Sequence, residues 1–308
     1  MSTAPPPRAP DSAKPHKKPN PIVALPAVRP RQPEYAAVKK GSTIRFTGDL
    51  ELDSFSLAVH GAPDSGKTTF AITAPRPYVI ATEKATPERI AALGLRIPIC
   101  KVYGGYASMV KALARAGKEM TELGARTIVV DTWTTLSDSI YSEILDQVRM
   151  HFAPAGFEGV GIEHFDPNLD GQIWNEVFRR QSDLRRRVDA LGCSVVYVCH
   201  TRVQSTYGRG MGGDDESGVP DAQGQFRSRL LRIPGATLYV EKHKVKDPTT
   251  GQRRTVVAVY TERTDSGMEA RCKWPGLAPV EPADLTAMLE KVRRCMQARR
   301  ASKTTSTR

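Results

Sequence analysis

Gly61, Gly66, Lys67 and Thr68 stand in the stretch GAPDSGKTT at the spacing G-x-x-x-x-G-K-[ST]. Those residue types at that spacing suit a phosphate group. The glycines let backbone N–H groups close around phosphate oxygens, the lysine reaches the outer phosphates, and the threonine hydroxyl can bind Mg²⁺. An alternating segment, Phe55 to His60, leads in, and the helix-compatible TTFAIT follows. Strand before and helix after distinguish a phosphate-binding loop from a surface glycine turn. The expected nucleotide contacts are Gly61, Ala62, Pro63, Asp64, Ser65, Gly66, Lys67, Thr68 and Thr69, with ATP and Mg²⁺ as ligands.

Three further polar residues each close an apolar run. Tyr78 to Thr82 is a short buried strand ending on Glu83, and Thr127 to Val130 is another ending on Asp131. Ser194 to Cys199 is the most hydrophobic strand and ends on His200. In an open α/β sheet the ligand crevice lies at the carboxyl ends of the strands, the edge that carries the phosphate-binding loop. Glu83 is therefore expected either as a general base for the water attacking the γ-phosphate or as a helix cap or solvated strand end. Asp131 has the position of a Walker B carboxylate and would hold Mg²⁺ opposite Thr68. His200 either senses the γ-phosphate, if its strand lies between those of the loop and of Asp131, or caps a strand end.

The elements that must position these groups follow from periodicity. Helical spacing runs through Tyr106, Met109, Val110, Leu113 and Gly117 to a turn at Gly124, then through Leu136, Ile140, Ile144 and Val148. Residues 151 to 171 read as an insertion or surface loop, with His151 and His164 as ordinary polar residues. A long helix is expected from about Asp170 to Ala190, its basic run RRQSDLRRR being either a solvated face or a contact surface. Residues 201 to 226 lack strand or helix pattern and read as a functional or disordered loop. ATLYVEKHKV and RRTVVAVYTER form an antiparallel hairpin, and 283 to 298 a last amphipathic helix. The fold class is α/β, with a mainly parallel central sheet, helices on both faces and a C-terminal antiparallel hairpin.

The division of charge organises the rest. The chain carries +12 in all, of which residues 1 to 40 contribute +6 and residues 291 to 308 contribute +7, leaving −1 for the middle. Cationic tails add salt-dependent affinity for polyanions, or serve only solubility, whereas a neutral core needs local clusters to bind nucleic acid. Ten prolines among lysines and small residues make 1 to 40 a disordered basic arm, followed by a nucleotide-binding domain over 41 to 282 and a helix with basic tail over 283 to 308. A short edge strand is expected at Ser42 to Phe46. Five cysteines without a C-x-x-C pair favour free thiols in a reducing compartment. No signal peptide or bilayer-length apolar run is found, so a cytoplasmic protein with no membrane partner is expected.

The order of loop, strand ending in Glu, strand ending in Asp, strand ending in a polar sensor, glycine-rich loop and hairpin resembles the RecA-like P-loop ATPases. VIATEKA is similar to the segment whose glutamate activates water, TIVVDTWTTL to the Walker B strand, and VVYVCHTR to the sensor strand. Within that superfamily, APRPYVIATE and VVDTWTTL most resemble phage-encoded ATPases of the Sak-type single-strand annealing group. The resemblance implies ATP hydrolysis with Lys67, Glu83 and His200 as catalytic residues and Thr68 and Asp131 on the metal. It implies single-stranded DNA as ligand in recombination, annealing or repair, and a homo-oligomeric ring or filament. It also implies a possible replication or recombination protein as partner, and the host cytoplasm as location. DNA contacts would fall on Arg202, Arg209, Arg227 and Arg229, because Asp214, Asp215 and Glu216 in the glycine-rich loop repel phosphate. A Lys-x-Arg pair reaching a neighbour's nucleotide has its counterpart in Arg271 and Lys273, in reversed order. Two other functions fit a P-loop: a phosphotransferase on a small molecule, with 201 to 226 as lid, and a nucleotide-gated loader or scaffold.

Overall fold

Leu57 and Val59 in the strand that leads into the phosphate-binding loop are fully buried, and so are Ala58 and His60 between them. A strand buried on both faces belongs inside a parallel sheet covered by helices on each side. The computed structural model describes residues 54–152, 169–206, 215–221, 235–246 and 252–305. The expected arm at 1 to 40, the edge strand at Ser42 to Phe46, His164, Arg209, Asp214, Arg227 and Arg229 lie outside the described residues.

The strands are β1 (Ser56–Gly61), β2 (Pro77–Ala81), β3 (Ile99–Lys101), β4 (Thr127–Asp131), β5 (Ser194–Thr206), β6 (Asp215–Pro220), β7 (Ala236–Lys246), β8 (Arg253–Tyr260), β9 (Arg271–Cys272) and β10 (Val280–Pro282). The helices are α1 (Lys67–Ala71), α2 (Thr86–Ala92), α3 (Tyr106–Leu123), α4 (Trp133–Phe152), α5 (Leu169–Asp189) and α6 (Leu285–Thr305). The sheet runs in the order β10-β8-β7-β1-β5-β4-β2-β3. Its six strands from β7 to β3 pair in parallel, and β8 and β10 extend it antiparallel, as the hairpin reading expects.

Alternate side chains build two cores. On one face Tyr78, Ile80, Ile128, Val130, Val195 and Tyr197 meet α3, α4 and α5; on the other Leu57, Val59, Val79, Val129, Val196 and Val198 meet α1, α2 and α6. Burying both faces fixes the register, since a slip of one residue would exchange the cores. The basic run of α5 is ion-paired: Arg179, Arg180, Arg185, Arg186 and Arg187 pair with Glu176, Glu143, Asp183 and Asp189 on α4 and α5, Arg180 and Arg185 being only 14% and 19% exposed.

One expectation is overturned. The segment after His200 is not a structureless loop throughout: β5 continues to Thr206 and turns into an antiparallel ribbon with β6, in the register Thr201↔Pro220 to Thr206↔Asp215. TRVQST and DESGVP lack an apolar stripe, and Val203 is 53% exposed. Backbone pairing makes this ribbon, so side-chain periodicity does not announce it.

Candidate functional site

The strand order decides what meets at the sheet's carboxyl edge. β5 lies between β1 and β4, with Gly61 level with His200 and Asp131 level with both Val198 and Ala81. Lys67, Thr68, Glu83, Asp131 and His200 are thereby gathered at one edge, where all of them except the buried Asp131 line a cleft of ≈ 300 Å³. Pro63, Asp64, Gly66, Thr69, Arg89, Thr132 and Lys242 also line it.

The loop's glycines are required by space as well as by conformation. A Cβ on Gly61 would collide with the Val240 carbonyl oxygen and Ser65 Oγ, and Gly66 has φ 100°, which L side chains rarely adopt. Lys67 is buried, its Nζ donating to the carbonyl oxygens of Gly61 (2.9 Å) and Ala62 (2.6 Å). Burial holds its ammonium below the ordinary lysine range, against the attraction of Asp131 and Glu83.

Asp131 is fully buried at the end of β4. Its Oδ2 accepts hydrogen bonds from Thr68 Oγ1 at 3.0 Å and Thr86 Oγ1 at 2.7 Å, while its buried Oδ1 has no hydrogen-bond partner. Desolvation pushes this carboxyl up, against the two hydroxyls. A buried carboxylate oxygen without a donor, beside a hydroxyl on the loop, is a donor set that fits Mg²⁺ held jointly with phosphates. No cluster of three or more His, Cys, Asp or Glu able to hold a metal occurs among the described residues, so the substrate's oxygens would have to complete the shell.

Glu83 follows β2 and is held from three sides. His200 Nε2 donates to its Oε1 at 3.0 Å, Thr132 Oγ1 donates to the same oxygen at 3.2 Å, and Arg89 Nη1 donates to Oε2 at 3.2 Å. The His200 hydrogen bond lowers its carboxyl below the usual range, outweighing burial. Its backbone is pinned because Thr82 N–H donates to Asp131 O at 2.8 Å, and the Thr82 side chain brackets Thr132, donating to its O and accepting from its N. His200 is tied onward: its N donates to Thr134 Oγ1 at 3.0 Å, that hydroxyl donates to Asp221 O at 2.6 Å, and Asp221 N returns to His200 O at 2.7 Å. The site is thus joined by hydrogen bonds to the base of the β5–β6 ribbon.

Other expected residues lie elsewhere. Arg202 is exposed on β5, opposite Val219. Arg271 and Lys273 are exposed at the start of β7, where Arg271 pairs with Thr237. That is the amino edge of the sheet, level with the beginning of β1. They do not enter this chain's cleft.

Arg89, Thr86, Thr132 and Lys242 were missed by reading the sequence. Local signals could have found α2, which sequence reading did not expect: Thr86-Pro87 opens it, Pro sitting in the first turn, and Gly94 follows its end. Thr132 and Lys242 carry no local signal that separates them from ordinary strand-end polar residues.

No helix among the described residues is long and apolar enough to cross a membrane, and all five cysteines are free. A family model described as an AAA domain matches residues 54–268, more than half of the chain. No curated protein matches it.

Proposed function

Because the chain belongs to the AAA-domain family of P-loop ATPases, we propose that the cleft binds ATP with Mg²⁺ and hydrolyses the terminal phosphoanhydride bond. The observation that carries this reading is the 3.0 Å hydrogen bond from Thr68 to Asp131 beside Lys67. It joins the loop hydroxyl to the carboxylate of a strand two places away in the sheet. Mg²⁺ there would neutralise charge on the β- and γ-phosphates. The loop amides and Lys67 hold the phosphates, Lys67 exchanging its two carbonyl acceptors for phosphate oxygens.

Glu83 is ionised at neutral pH and takes the proton of the attacking water. The water oxygen bonds to the γ-phosphorus as the bond to the bridging oxygen breaks. ADP leaves with that electron pair, and the third phosphate departs as inorganic phosphate. His200 orients Glu83 and passes its movement to Thr134, Asp221 and the ribbon.

We further propose that the ATPase acts on single-stranded DNA, in recombination, annealing or repair of the Sak-type phage kind, and works as a homo-oligomeric ring or filament. A replication or recombination protein is the expected protein partner. Support comes from three features: the order of the polar strand ends, the cationic tails, and exposed Arg202 on a ribbon that begins at His200. Arg271 and Lys273, at the sheet's opposite edge, would act only on a neighbouring copy's nucleotide.

The test is phosphate release with and without single-stranded DNA, alongside sizing in ATP. Stimulation that fades with salt and a larger species in ATP are expected. Hydrolysis indifferent to DNA at low salt would remove the DNA reading and leave the ATPase, favouring a small-molecule phosphotransferase. Binding without turnover would favour a loader or scaffold.

A further inference from the structure

Arg89 lines the cleft, and the reaction above leaves it without a task. α2 follows Glu83 directly and carries Arg89 back over the cleft, where its guanidinium divides between two carboxylates. Nη1 stands 3.2 Å from Glu83 Oε2 and Nη2 stands 3.4 Å from Asp64 Oδ1 of the phosphate-binding loop. The Arg89 side chain is 45% exposed and that of Asp64 is 78% exposed. The Asp64 pair, so open to water, is worth at most about 1 kcal/mol, and a stronger anion displaces it readily; the Glu83 pair is more sheltered, Glu83 being 16% exposed.

The guanidinium lines the same cleft as Lys67. Its positive charge is one of the effects that depress the Lys67 ammonium, after burial. Two cations lining one cleft, each held by acceptors that phosphate oxygens can replace, form an arrangement completed by a polyanion, and Lys242 lines the same cleft. Arginine's planar fork matches two phosphate oxygens at once, which a lysine cannot do.

We propose that Arg89 is a catalytic arginine acting within its own subunit: when a nucleoside triphosphate binds, it leaves Asp64 and Glu83 and pairs with the γ-phosphate oxygens. No bond to Arg89 forms or breaks; it stabilises the charge that spreads over those oxygens as the phosphoryl group transfers. Its departure also frees one Glu83 oxygen to meet the attacking water, so a single movement links recognition of the third phosphate to release of the base. The proposal rests on the ATPase reading and adds a group that discriminates ATP from ADP.

The experiment compares Mg²⁺-dependent affinities for ADP and for ATPγS, together with ATP turnover, in the wild type, Arg89→Ala and Arg89→Lys. Arg89→Ala is expected to weaken ATPγS about tenfold or more, to leave ADP within about twofold, and to lower kcat by about 10³-fold, the range for a removed arginine of this kind. Arg89→Lys should recover part of the ATPγS affinity and less of the turnover, since the charge remains and the fork is lost. Equal losses for both nucleotides in Arg89→Ala would overturn the proposal and make Arg89 a brace of the loop. Wild-type turnover in that variant would overturn it as well. A wild type that binds neither nucleotide would instead strike the ATPase reading itself, and this proposal with it.

Discussion

His200 Nε2 donates to Glu83 Oε1 across 3.0 Å, although 117 residues separate them in the chain. One closes β2 and the other lies within β5, with β4 between those strands. The contact gives Glu83 a fixed direction and holds its carboxyl below the usual range, and it ties the β5–β6 ribbon to Glu83 through hydrogen bonds. The hydrogen bonds run on from His200 through Thr134 to Asp221.

Glu83→Gln keeps an oxygen acceptor for His200 and Thr132 but removes the base. ATP affinity should change little while kcat falls by about 10²–10⁴-fold, the usual contribution of general base catalysis. Nucleotide binding by fluorescence and phosphate release measured on the same preparation check it. Full turnover in this variant would assign the base elsewhere.

Asp131→Asn replaces one oxygen of a buried group that accepts from Thr68 and Thr86. The fold should persist, but turnover should fall on the order of 10²–10³-fold, as when one preorganised electrostatic stabiliser is lost. The Mg²⁺ concentration needed for half-maximal rate should rise. A magnesium titration of ATP hydrolysis reads both, and an unchanged midpoint would take Asp131 off the metal.

His60 supplies a dependence on pH. It is fully buried on β1, Nε2 donating to Glu269 O and Nδ1 accepting from Thr201 Oγ1, so the neutral ring satisfies both neighbours. Burial lowers its pKa from 6.5 to about 4. The unfolded chain therefore gains a proton below about pH 6.5 that the folded chain refuses until about pH 4. Stability attributable to this site is intact above pH 6.5 and declines between those values by about 3 kcal/mol. His60→Gln should show a flatter fall in its urea midpoint over that range than the wild type; parallel curves would refute the assignment.

Gly61→Ala adds a methyl where the Val240 carbonyl oxygen and Ser65 Oγ already stand. Either β7 moves away from β1 or the loop opens. The expected cost is about 1–3 kcal/mol, typical of overpacking, with loss of measurable ATP binding. Thermal unfolding with and without nucleotide separates the two effects: the variant's midpoint should be lower and should no longer rise on adding ATP.

The phosphate-binding loop was legible residue by residue, because its function demands glycines, a lysine and a hydroxyl at fixed spacing along one continuous segment. The strands leading to Glu83, Asp131 and His200 were legible for a related reason: a strand covered on both faces is mostly apolar until it nears the sheet edge, although β5 does not end at His200 but runs on to Thr206. Strand order was not written locally. β5 sits between β1 and β4 because two cores close around the sheet together, and that placement alone brings His200 to Glu83. Arg89 escaped notice because a half-exposed arginine on a short helix has no periodic signature, and the β5–β6 ribbon escaped because ladder hydrogen bonds leave no trace in side-chain pattern. The sequence by itself thus determined which chemistry the chain carries. Tertiary packing decided which groups touch, since contact across more than a hundred residues depends on burial of both faces at once.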